Sequence, residues 1–284
     1  MSYMDRVRAC NGWSPEDYLP LRCEGETVGR VRRSFARHLG DWPEILLCTE
    51  GAVEIHPRLE DAESRSVAMA EVIAKLTRVG HIAYLLDEPY PVTAAARKQT
   101  KFVIDRGAAP YFGIRAFGQH INGYVREEEG IRMWIGRRAA DRINFPSRLD
   151  NLAAGGLPYG IGLRENLAKE CQEEAGIRPE VAARAVSVSA ITYCRETEKG
   201  LKPGVLYCYD LALSEGFVPH AADGEMAGFE LLSLEEVARI VRESDEFKPN
   251  CALVVIDFLI RHGFITPEDP DYQELLCGLH APLP

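Results

Sequence analysis

The sequence predicts an α+β protein in two parts: a small α+β unit over residues 1–115, then a larger unit over residues 116–284. Three observations lead there. Apolar residues recur at helical spacing over residues 61–79 and 250–261. Alternating runs over residues 116–125, 132–138, 186–193 and 204–213 read as strands, with helical segments between and after them. The character of the chain changes near Pro110, with no internal repeat on either side.

In the first unit, residues 3–10 start a short helix. The run Trp13-Ser14-Pro15-Glu16-Asp17-Tyr18 forms a turn with Ser14 as N-cap and Pro15 at the first helical position, where its missing N–H costs nothing. Residues 21–23 and 27–31 flank Gly25 as a hairpin. Residues 45–48 and 52–55 form two short strands around Glu50-Gly51. The helix over 61–79 carries Val67, Ala70, Ile73, Ala74 and Leu76 and stops at Gly80. Residues 83–92 are strand-like but interrupted by Pro89 and Pro91, and residues 98–105 have no clear period. Arg30, Arg32, Arg33 and Arg37 form a basic cluster, either plain surface charge or a contact for phosphate or carboxylate.

In the second unit, strands over 116–125 and 132–138 pair around Glu127-Glu128-Glu129-Gly130. Residues 149–154 lead into a glycine-rich loop. Pro179 opens a helical stub, followed by a strand over 186–193. The strand over 204–213 puts Tyr207, Tyr209 and Leu211 on one face and Cys208 and Asp210 on the other. Residues 229–232 read as a short buried piece. Ser233 caps a helix reaching Glu243, with Glu236 completing a capping box. An apolar helix over 250–261 stops at Gly263.

A net charge of -10 and a pI near 5.3 argue against a general binder of nucleic acid or anionic membrane, both of which need positive surface. No run approaches the roughly 18 apolar residues of a membrane span. Met1-Ser2-Tyr3-Met4-Asp5-Arg6 lacks the apolar core of a secretion signal. Eight cysteines, with no C-x-x-C pair, are expected to be reduced and mostly buried in a cytoplasmic protein. The expected partner is a small molecule, with no nucleic acid and no membrane; a homodimer stays open.

The chemistry concentrates in residues 155–177. Glu170, Glu173 and Glu174 stand at i, i+3 and i+4, on one helix face. Like charges there repel unless a cation sits among them, and hard oxygen ligands suit Mg²⁺ or Mn²⁺. The alternative is a solvated acidic face. Gly155-Gly156 and Gly160-Ile161-Gly162 form a glycine-rich loop before the helix, and Gly176 stands where a helix ends on a left-handed residue. This order resembles the Nudix box, G-x5-E-x7-R-E-U-x-E-E-x-G-U with U apolar. The matches are Gly155, Glu170, Cys171, Glu173, Glu174, Gly176 and Ile177. The box's early glutamate, which supports the loop, is Ile161 here, and its arginine is Lys169.

That resemblance implies a Nudix α/β/α sandwich with a mixed sheet and a phosphoanhydride hydrolase. It implies Glu170, Glu173 and Glu174 as ligands of Mg²⁺ or Mn²⁺. Lys169 would orient a box carboxylate, and Gly155 and Gly156 would let backbone approach the substrate. The general base would be a box glutamate such as Glu173 or Glu174, or Glu225 from the loop Asp223-Gly224-Glu225. Segments 112–125, 133–139 and 149–162 are similar to a narrower Nudix subfamily whose N-terminal region is shared with fungal thiamine-pyrophosphokinase fusions. The implied substrate is thiamine diphosphate or its oxidised analogues. Trp134 and Tyr193 would stack on the thiamine rings or pack in the core. His120 would touch substrate or be a hydrogen-bonded structural group, and Cys171 a core contact. The N-terminal unit would select substrate or join two copies. Two other readings stay open: a Nudix-fold binding module without turnover, or a hydrolase of a nucleoside diphosphate derivative.

Overall fold

The computed structural model describes residues 2–222 and 224–284. In the N-terminal unit, β1 (Tyr18–Cys23) and β2 (Glu26–Arg32) form the predicted hairpin, with Glu24 and Gly25 both at positive φ in the turn. β3 (Leu46–Cys48) and β4 (Val53–Ile55) extend it to a sheet ordered β2-β1-β4-β3. The long helix α3 (Ala62–Arg78) is capped by Asp61 and buries Met69, Val72, Ile73 and Leu76 in the same core as that sheet. The helix α2 (Arg33–Ala36) follows the hairpin, and α4 (Ala109–Phe112) closes the unit.

Of the predicted strand over 83–92, only β5 (Pro89–Val92) forms, pairing with β6 (Phe102–Asp105). Pro89 and Pro91 lie inside it. A two-stranded ribbon has a free edge, so their missing N–H groups break no ladder.

The second unit is a seven-stranded sheet. Its main order is β11 (Val186–Thr197), β12 (Gly200–Ala212), β7 (Ala116–Glu127), β8 (Gly130–Arg138), β13 (Met226–Ser233). β10 (Ala153–Gly156) pairs with β7 and β9 (Leu149–Asp150) with β8. β12 and β7 run parallel and the other pairs antiparallel, so the sheet is mixed. Residues 229–232 belong to a longer strand than expected. Its side chains are mostly half-buried because it is the sheet's edge.

Strand alternation divides the core in two. One face meets α5 (Leu163–Ala175) and the stub α6 (Pro179–Ala182), burying Ile121, Trp134, Leu167, Cys171, Tyr209 and Leu211. The other meets α7 (Leu234–Glu243), α8 (Pro249–Arg261) and α9 (Tyr272–Leu279), burying Leu206 and Cys208 against the wholly apolar run Ala252–Ile256. The capping box of α7 is half made. Ser233 accepts from the Glu236 N–H, but the Glu236 carboxylate turns to Arg239, 2.6 Å away.

The first helix, α1 (Tyr3–Cys10), lies in this second layer. Tyr3, Met4, Val7 and Cys10 join the α7–α9 core, and Asn11 donates to the Gly278 carbonyl at 3.2 Å.

Candidate active site

The helix α5 begins at Gly162 and ends on Gly176, whose φ of +64° is the left-handed stop expected there. Gly176 donates to Gln172 and Ile177 to Cys171, closing the last turn. Leu167, Cys171 and Ala175 anchor one side of α5 in the core, as expected for Cys171. Asn166, which sequence reasoning passed over, is buried beside them. Its amide donates to Gln119 and to the Gly156 carbonyl, at 2.9 and 3.1 Å, tying the helix start to the glycine loop.

With the helix so oriented, the three glutamates meet three environments. Glu174 is 3% exposed, and its carboxylate accepts the Ala154 N–H at 2.8 Å. Burial, then the charges of Asp150 and Glu170, push its pKa well above the ordinary carboxylate range despite that bond. Glu170 lies over Gly155, where any Cβ would collide with its carboxylate. Burial raises its pKa too; Lys169 opposes that, and Glu173 and Glu225 reinforce it. Glu173 points outward with 47% of its side chain exposed and pairs with Lys169 at 2.9 Å. Lys169 also reaches Glu170 at 3.6 Å, so it bridges two carboxylates of the face. Glu225 joins Arg142 at 2.7 Å, and its charge reaches Glu170. Asp223 lies outside the described residues.

These carboxylates fit a divalent cation. They are hard oxygen donors, and burial and mutual repulsion leave Glu170 and Glu174 costly to ionise until a cation joins them. Their ligand atoms do not all lie within 4.8 Å of one another, however. Among the described residues, the trio whose ligand atoms all fall within 4.8 Å of one another is His120, Asp150 and Cys251.

That trio is already satisfied internally. The Cys251 thiol donates to Asp150 at 2.7 Å, and Arg138 and Lys248 pair with the same carboxylate at 3.1 and 3.2 Å. Burial alone would raise the Asp150 pKa; Lys248 and its other partners outweigh it and hold the group at about 2. His120 shares a 2.8 Å hydrogen bond with Asn151 and contacts Asn250 at 3.3 Å. Burial first, then Lys248, lowers its pKa to about 4, so the ring is neutral. His120 therefore joins β7 to the start of α8 as a hub of polar packing.

Trp134 and Tyr193, expected either to stack on substrate or to pack, are both buried. Trp134 sits in the α5 core, and Tyr193 in the α8 core with its ring against Gly204. Two surface depressions, around Asp61–Glu71 and around Glu24–Arg65, lie on the N-terminal unit, and no residue of α5 or the glycine loop lines them.

The glycine loop is held from the N-terminal unit. Arg97 donates to the carbonyls of Pro158 and, at 2.8 Å, Ile161. The Tyr159 N–H donates to Pro89 at 2.7 Å. Gly156 faces the Tyr90 hydroxyl and the Arg106 guanidinium, so close that a Cβ there would strike the hydroxyl. Arg32, one of the basic cluster, also crosses between the units: it pairs with Glu196 at 2.7 Å and donates to Thr197 at 2.9 Å.

Comparison with known proteins gives the family. A family profile described as a NUDIX domain matches residues 118–251, and one described as a domain of unknown function, DUF4743, matches residues 2–116. Nudix hydrolase 20, chloroplastic, from Arabidopsis thaliana is 39% identical over 284 residues, covering 96% of this chain and 76% of its own. Nudix hydrolase 24, chloroplastic, from the same plant is 39% identical over 277 residues, with the same coverage of 96% and 76%. Among solved structures, the NUDIX domain of Shewanella oneidensis NrtR complexed with ADP ribose aligns with a TM-score of 0.41 and 10% identity, covering 53% of this chain and 90% of that one. The chain belongs to the Nudix hydrolase family. It is a Nudix-type pyrophosphohydrolase, acting on acid anhydrides of phosphorus. Among the described residues, no helix is long and apolar enough to cross a membrane.

Proposed function

We propose that this enzyme cleaves the phosphoanhydride of an organic diphosphate in the presence of Mg²⁺, and that the substrate is thiamine diphosphate or its oxidised analogues, released as monophosphate and phosphate. The observation that carries the reading is the pair of half-buried Glu170 and buried Glu174, one carboxylate over Gly155 and the other on the Ala154 N–H. Such a pair stores repulsion that a cation relieves. The thiamine assignment is supported by the resemblance across segments 112–125, 133–139 and 149–162.

Glu170 and Glu174 would hold the cation, with Glu173 beside them at the solvent edge. When bound, Mg²⁺ neutralises diphosphate oxygens and acidifies water. Glu173, open to solvent, accepts the proton of the attacking water, and Lys169 fixes its carboxylate through the 2.9 Å pair. Glu225, tied to Arg142, adds a second acid at the edge of the same face. Positioning and charge stabilisation account for most of the rate in phosphoryl transfer. The two departures from the box do not favour a binding module without turnover. Arg97 supports the loop where Ile161 cannot, and Lys169 still makes its ion pairs. Eight free thiols, six of them buried, support a reducing compartment such as the cytoplasm.

The test is product formation, followed by phosphorus NMR, with Mg²⁺ and a panel of thiamine diphosphate, its oxy-analogue, ADP-ribose, a dinucleoside polyphosphate and a nucleoside triphosphate. Selective cleavage of the thiamine compounds is the expected result. Cleavage of a nucleotide alone overturns the substrate. Cleavage of none, in a folded sample, overturns the reaction.

A further inference from the structure

We propose that Gln119 of β7 is a positioning residue for the metal site: it fixes the start of α5 so that Glu170 comes to rest over Gly155. The inference rests on the metal-assisted pyrophosphohydrolase reading. It names a side chain outside the box on which the alignment of the box glutamates depends.

Gln119 is fully buried, where an amide is costly unless its donors and its acceptor are met. It stands opposite Gly155 in the β7–β10 ladder. Paired residues of an antiparallel ladder project from the same face of the sheet, with Cβ positions about 5 Å apart. The Gln119 side chain therefore rises from the face on which Glu170 lies over Gly155. The glycine leaves the room that the carboxylate fills, and the glutamine occupies the position next to it.

The Gln119 amide meets two further elements there. Its nitrogen donates to the carbonyl of Leu163, the first residue of α5, at 2.9 Å and to the Tyr209 hydroxyl of β12 at 3.2 Å. Its oxygen accepts from the Asn166 amide at 2.9 Å. The same Asn166 nitrogen donates to the Gly156 carbonyl at 3.1 Å, so the helix is held to β7 and β10 at once. Leu163, Asn166, Glu170 and Glu174 follow one another at spacings of three and four residues, a single stripe along α5. One end of the stripe is bonded to Gln119, and the other carries the carboxylates. Because the helix turns as a unit, its rotation and its height above the sheet are set at Gln119 and felt at Glu170, one turn beyond Asn166. An apolar side chain of similar shape would fill the space but leave Leu163 and Asn166 without this partner. The helix start would then be free to turn by the small amount that takes Glu170 off Gly155.

The probe is Mn²⁺, titrated calorimetrically into the full chain, with melting curves on the same samples. The wild type is expected to bind it, and Gln119→Met to bind it about 10-fold more weakly, within the range seen when a residue that orients metal ligands is lost. Asn166→Ala should weaken binding as well, and the double variant should lose less than the two single losses combined, because both act through one bond. Asn122 is the control for buried polar loss. It stands three residues further along β7, on the other face, bonded to Asn151 and Asp210. Asn122→Ala should lower the melting temperature and leave Mn²⁺ affinity unchanged. Wild-type affinity in a folded Gln119→Met overturns the positioning role, as do fully additive losses or an equal loss in Asn122→Ala. Should Gln119→Met not fold, Asn166→Ala decides, and unchanged affinity there overturns the inference. A wild type that does not bind Mn²⁺ removes the metal-site reading and the inference with it, whereas binding that ignores Gln119 removes the inference alone.

Discussion

Arg97 donates to the carbonyl of Ile161, at the box position where the family carries a glutamate. The side chain that would hold the loop from within is replaced by one that holds it from the neighbouring unit. Ile161 contributes only backbone to the contact, and its neighbour Pro158 accepts a second bond from the same nitrogen. The N-terminal unit is therefore part of the loop's framework.

Arg97→Ala should lower kcat by about 10- to 100-fold, the scale of a small misplacement of reacting groups. Introducing Ile161→Glu into that variant should return part of the activity, because the box then recovers its own loop support. Steady-state kinetics on the two variants checks this. No recovery in a folded double variant removes the equivalence of the two supports.

Glu174→Gln should do opposite things to stability and activity. The amide oxygen can still accept the Ala154 N–H, while the buried charge and its repulsion from Asp150 and Glu170 vanish. The metal-free melting temperature should rise. Turnover should fall at least about 100-fold, as when one preorganised charge partner of the transition state is lost. Mg²⁺ should raise the melting temperature of the wild type more than that of the variant. Melting curves with and without Mg²⁺ check both parts, and a variant less stable than wild type without metal contradicts the repulsion argument.

The polar hub beneath α8 predicts an acid limit. Burial holds the His120 pKa at about 4, below its ordinary value of 6.5. A depressed folded value means stability that is fully present above the unfolded pKa. It is lost as pH falls, because the unfolded chain takes up the proton first. The loss between about pH 6.5 and 4 is about 3 kcal/mol. Asp150, held at about 2 against an ordinary 3.8, adds a further loss between about pH 4 and 2. His120→Gln should flatten the first of these slopes. Denaturant titrations at several pH values measure it, and an unchanged slope discards His120 as its source.

Gly155→Ala should cost metal affinity more than folding, because the added methyl displaces the Glu170 carboxylate. Gly228, with open space around its would-be Cβ, is the matched control. Mg²⁺ titration by calorimetry should show weaker binding for the first and no change for the second. Equal affinities would place Glu170 outside the metal shell.

Much of the site is local and therefore legible. The i, i+3, i+4 spacing of the glutamates, the stop at Gly176 and the two faces of β12 follow from the helical and strand periods. What the periods do not encode is which residues from elsewhere arrive. Nothing in the spacing of Arg97, Arg106 or Tyr90 marks them as neighbours of the glycine loop, about 50 residues later in the chain. Trp134 and Tyr193 look alike as strand aromatics, and only the assembled sheet shows both turned into cores. The three glutamates share a face, but the depth of each depends on Ala154 and Gly155 lying alongside.

The docking of α1 on α8 and α9 has a consequence for synthesis and for dissection. α1 is made well before α8 and α9, so this contact forms only across a long loop-closure distance. Until then the apolar surface that receives Val7 and Cys10 stays open, a surface of the kind that favours aggregation. A fragment cut at residue 115 would keep that surface permanently uncovered. Swapping, permuting or tethering the head of the chain is the way to separate its two units while leaving the clasp shut.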